Sequence, residues 1–97
     1  MSELQNRIIQ QLASREGDQR SPHRYNRHKH LLRAAIELYY TSGGSAQELN
    51  EFIQSYTQSK TITIPDAVAK MIVETAAVSH ASDLDMVQAA YNWIDHA

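Results

Sequence analysis

The chain has 97 residues, 11 Asp and Glu against 9 Lys and Arg, and no cysteine. That length supports one domain with a modest core, and the lack of cysteine excludes disulfides and thiolate metal sites. No stretch reaches the ~18 apolar residues of a membrane span, so a soluble cytoplasmic protein is expected. Charge is segregated: residues 1–33 sum to +4 and the remainder to −6, which suggests that the two parts face different partners or each other. A small core without covalent staples also favours oligomerisation, and a homodimer is expected.

Ser2 is placed to cap a first helix with Leu4, Ile8, Ile9 and Leu12 on one face, ending near Arg15. "REGDQRSP" then reads as a loop. Ser21 followed by Pro22 is a helix start, and helix two is expected to run to about Thr41, with Tyr25, Leu32, Ala35, Ile36 and Tyr39 inward. Gly43 and Gly44 stop it. Ser45 and Glu48 form a capping box for a third helix, with Leu49, Phe52, Ile53 and Tyr56 inward and an end near Gln58. No internal repeat or interdomain linker is evident, so 1–97 reads as a single domain.

"TITIP" changes the period. Thr61 and Thr63 alternate with Ile62 and Ile64, all β-branched, so 61–64 reads as a short extended segment, and Pro65 is expected to keep Ile64 out of the following helix. Helix four, about 65–79, turns Val68, Met71, Ile72 and Thr75 to one side. Ser82 with Asp85 repeats the capping geometry for helix five, 83–95. That helix has two apolar faces: Leu84, Val87, Ala90, Tyr91 and Ile94 on one, and Met86, Ala89 and Trp93 on the other. Val68, Ile72, Val87, Tyr91, Ile94, Leu32, Ile36, Phe52 and Ile53 are expected to be buried. Trp93 is expected to meet a second chain or the N-terminal helices.

The fold class is therefore mainly α: about five short helices with one short extended segment. Residues 1–58 form N-terminal helices with a basic face, and residues 59–97 form a strand-helix-helix-like part. "TITI", a helix of about four turns, a break with Ser82, and a second helix apolar on two sides together resemble the ribbon-helix-helix family of small dimeric DNA-binding repressors. The resemblance covers about the last 37 residues. It implies that two chains pair their strands, burying Ile62 and Ile64 and turning Ser59, Thr61 and Thr63 toward a major groove.

The densest chemical signal is "RSPHRYNRHKHLLR", in which Arg24, Arg27, His30 and Arg33 share the outer face of helix two and suit phosphates or an acidic protein surface. His23, His28 and His30 stand five and two residues apart, which does not gather them on one helical face, so no metal site is expected. No nucleophile motif or phosphate-binding glycine loop is present, and Asp83 and Asp85 read as charges at a helix N-terminus. Neither an enzyme, a cofactor nor a small-molecule substrate is expected. Two functions stay open. One is a small DNA-binding regulator of bacterial, plasmid or phage type. The other is a non-enzymatic module, such as a phage or plasmid accessory protein, that binds and modulates a larger host protein complex.

Overall fold

The computed structural model describes residues 2–16 and 26–96. Among them are five helices and no strand: α1 Glu3–Glu16, α2 Arg27–Thr41, α3 Ala46–Ser55, α4 Ile64–Ala81 and α5 Met86–His96. The fold class is mainly α, as the periodicity indicates. Tyr25, and with it the Ser21–Pro22 start proposed for helix two, lies outside the described residues.

Caps set the ends. The Gln5 N–H donates to Ser2 Oγ at 3.1 Å and opens α1. Before α2, Asn26 sits in the left-handed region at φ 62°, so the chain does not enter Arg27 as a continuous helix and the expected run from 22 to 41 is broken there. The Glu48 N–H donates to Ser45 Oγ at 3.1 Å, one arm of the expected capping box. The Glu48 carboxylate turns instead to the Tyr39 hydroxyl, 3.3 Å away. α3 stops at Ser55 because Tyr56 is extended, with ψ 134°.

The extended segment gives way earlier than expected. Thr63 is the N-cap of α4, its Oγ1 accepting from the Asp66 N–H at 3.3 Å, and Ile64 lies inside the helix. Pro65 has no N–H to lose in the first turn, so it completes the start that Thr63 sets. The second correction concerns Ser82. It caps the end of α4, its N–H donating to Val78 O at 3.0 Å, and the start of α5 belongs to Asp85, whose Oδ1 accepts from the Gln88 N–H at 2.8 Å.

Although the sequence shows no repeat, the two turns are built alike, position for position forty residues apart. Gly44 N–H donates to Tyr39 O and Leu84 N–H to Ser79 O, both at 3.0 Å, and each spans a residue in the positive-φ region, Gly43 at 111° and Asp83 at 56°. This is the six-to-one bond that closes a helix over a left-handed residue. Ser45 and Asp85 then cap the next helix.

Packing is uneven. α5 is the shared element, with α1 against one side and α4 against another, while the α2 and α3 backbones approach none of these three closely. Leu4, Ile8 and Leu12 of α1 and Ala90, Tyr91 and Ile94 of α5 are half-buried there. Where these helices meet, the Arg7 guanidinium pairs with the Asp95 carboxylate and lies over the Tyr91 ring, 5.1 Å from its centroid. The basic and acidic parts of the chain thus meet where α1 packs on α5. Ser79 is the only buried side chain among the described residues, its hydroxyl donating to Thr75 O at 2.7 Å.

Most of the expected core stands in solvent. Phe52 is 64% exposed and Ile72 53%, and Leu32, Ile53, Val68 and Val87 are exposed as well, while Ile36, Tyr91 and Ile94 are half-buried. The apolar stripes exist where the period places them, but the described helices leave these six exposed residues uncovered. The Cα radius of gyration is 15.1 Å, against about 12.5 Å for a compact domain of this length.

Candidate interaction surface

The basic face of α2 is built by helical spacing. Lys29 and Arg33 lie one turn apart with His30 beside them, and the three line a depression of about 380 Å³. All three are exposed. Arg27, the first residue of α2, is half-buried, and Arg24 lies outside the described residues. Lys29 was legible as a member of this site from its position four before Arg33, but a reading centred on arginines and histidines passes over it.

The residues assigned to a ribbon divide. Ser59 Oγ and Thr61 Oγ1 are 3.1 Å apart and exposed, whereas the Thr63 hydroxyl is engaged by the first turn of α4. Thr61 and Thr63 are both exposed, but the Thr63 hydroxyl is already engaged within its own chain. A strand needs a ladder partner for its N–H and C=O groups, and among the described residues none lies alongside 61–63.

The apolar part of the surface was not foreseen as surface. At the end of α3, Phe52 and the capping residue Tyr56 stack with ring centroids 6.0 Å apart and an interplanar angle of 26°, and both are exposed beside Ile53. On α2, Leu31 and Leu32 are exposed next to the basic cluster. The hinge between the two helices is fixed by Tyr39, whose hydroxyl donates to Ser45 O at 2.9 Å and whose ring lies over Gly44. Partial loss of solvent raises the Tyr39 phenol above its ordinary value, and the adjacent Glu48 carboxylate adds to the shift.

A second groove lies between α1 and α5, about 260 Å³, lined by Ile8, Leu12, Ala90 and Ile94, with Trp93 and Arg15 at its rim. Trp93 is thus placed beside the N-terminal helix, one of its two expected neighbours, but is 69% exposed.

Among the described residues no three His, Asp or Glu side chains gather where they could hold a metal ion. No described helix is long and apolar enough to cross a membrane. The chain matches no protein-family model, no curated protein and no solved structure.

Proposed function

We propose that the chain is a non-enzymatic interaction module that binds and modulates a larger protein complex through the α2–α3 hairpin. One observation carries this reading: α2, α3 and the Tyr56 cap expose Leu31, Leu32, Phe52, Ile53 and Tyr56, and no other described helix packs against them. Apolar surface held out by a rigid turn, beside Lys29, His30 and Arg33, suits a partner with an apolar groove and an acidic rim. Aromatic anchors supply most of such an affinity, and rim charges mainly set approach and orientation.

The second reading, a DNA-binding regulator, is favoured by the same Lys29, His30 and Arg33 cluster, with Arg27 at the start of the same helix. A major-groove ribbon from Ser59, Thr61 and Thr63 would require a second copy to pair with 61–63. Two assays separate the readings. Mixed-sequence duplex DNA at 50 to 200 mM salt should give no salt-sensitive binding, while Phe52→Ala with Ile53→Ala should abolish co-purification with the partner complex. Binding to DNA with a log–log salt slope that falls by about 1.8 in Lys29→Ala with Arg33→Ala, at about 0.9 per lost phosphate contact, would replace this proposal with the DNA reading.

A further inference from the structure

The accessible surface of the chain is 8422 Å², whereas a compact monomer of 11.0 kDa has about 5,600 Å². The difference, about 2,800 Å² for one chain, is larger than the ~800 Å² that each partner contributes to a standard protein interface, and over two chains it lies at the upper end of obligate dimers. The α2–α3 hairpin accounts for only part of the exposed apolar surface. Another part lies on α4, and it has a different pattern.

On α4 the residues Ile64, Val68, Met71, Thr75 and Val78 follow one another at intervals of four, three, four and three. This is the spacing of the two seam positions of a heptad, the pattern by which one helix packs along another. The seam extends over about 21 Å at 1.5 Å per residue. No charge falls on it. Asp66, Lys70 and Glu74 run at four-residue intervals along the opposite side and flank of the helix.

The two ends of the seam differ. Toward the C-terminus α5 covers it: Thr75 and Val78 are half-buried and the neighbouring Ser79 is buried. Toward the N-terminus none of the described helices covers it, and Ile64 is 81% exposed, Val68 52% and Met71 39%, with Ile72 alongside.

We infer that the N-terminal half of α4 is a self-association surface, covered by the α4 of a second copy of the chain. An uncharged heptad seam is complementary to itself, and a two-fold pairing brings the same stripe from both chains together. Ile64, Val68, Met71 and Ile72 are the exposed apolar residues such a pairing would cover, and the chain has no cysteine to stabilise a single copy in its place. This surface is separate from α2–α3, so the inference stands or falls independently of the proposed partner binding.

Sedimentation of the full chain with paired charge variants tests it. The wild-type chain should sediment as a dimer. Val68→Glu with Ile72→Glu, and separately Val68→Lys with Ile72→Lys, should each weaken dimerisation at least about a hundredfold, because like charges would be buried against each other. An equal mixture of the two variants should recover a dimer, which a misfolded chain could not do. Phe52→Glu should leave the wild-type dimer intact. A monomeric wild-type chain, charge variants that remain dimeric alone, a mixture that stays monomeric, or dissociation by Phe52→Glu would each overturn the assignment.

Discussion

Gly44→Ala probes the hinge that holds the α2–α3 hairpin. A Cβ at Gly44 would overlap the Tyr39 ring, with Cε1 2.5 Å away, well inside van der Waals contact. Something must shift, and the ring is the movable party. Overpacking costs about 1–3 kcal/mol, and because this ring lies at the surface and can swing aside, the low end, about 1 kcal/mol, is expected. In a chain of this length that lowers the Tm by roughly 4–8 °C. Moving the ring also breaks the 2.9 Å bond from its hydroxyl to Ser45 O, so the hairpin should open as well as weaken. Gly43→Ala is the control. Its added Cβ meets nothing within 4 Å, but φ is 111°, so it too destabilises, through backbone strain of about 1–3 kcal/mol. A double-mutant cycle separates the two causes: in a Tyr39→Ala background the Gly44→Ala penalty should disappear and the Gly43→Ala penalty should persist. Urea denaturation followed by circular dichroism gives all the terms. An equal Gly44→Ala penalty in both backgrounds would refute the placement of Tyr39 over the turn.

Three further outcomes are expected. Asp85→Ala should cost about 0.5–2 kcal/mol by leaving the first turn of α5 uncapped, while Ser82→Ala should cost less, and Asp83→Gly should stabilise by relieving the left-handed φ of 56°; thermal melts rank the three. Arg7→Ala should cost no more than about 1 kcal/mol and should make stability less salt-dependent, since the pair with Asp95 is 43% and 47% exposed; melts at low and high salt check this. Tyr39 should ionise later than an ordinary tyrosine. Its raised value favours the neutral phenol in the folded chain, so its contribution is complete below the ordinary value of 10.0 and is lost as pH climbs through the raised one. Absorbance at 295 nm of the wild type against Tyr39→Phe follows that titration.

Helices and most of their caps were legible because they are local. Ser2, Ser45 and the Gly43–Gly44 stop each act within a few residues, and the structure places all three as the spacing indicates. Ser82 shows how local reading fails. Both Ser82 with Asp85 and Asp85 with Gln88 fit a cap three residues ahead of a backbone donor. The choice falls to Asp85 because Ser82, Asp83 and Leu84 are already committed to closing α4. "TITI" failed for a related reason. β-branched alternation favours an extended chain, but without a ladder partner the Thr63 hydroxyl caps α4 instead.

Burial was the least legible property. Period identifies the apolar face of a helix and says nothing of what covers it, so Phe52, Val68 and Ile72 were placed on their stripes correctly and in the interior wrongly. The basic site follows the same logic in reverse: the outward placement of His30 and Arg33 was read from spacing, as it depends only on the helix that carries them.

The account turns on the claim that this apolar surface is interface, completed on α4 by a second copy. Light scattering on the native chain as it elutes from a sizing column tests it most directly. A mass twice that of the 11.0 kDa chain is predicted. A mass of one chain at micromolar concentration, from a sample that still melts cooperatively, would contradict the account.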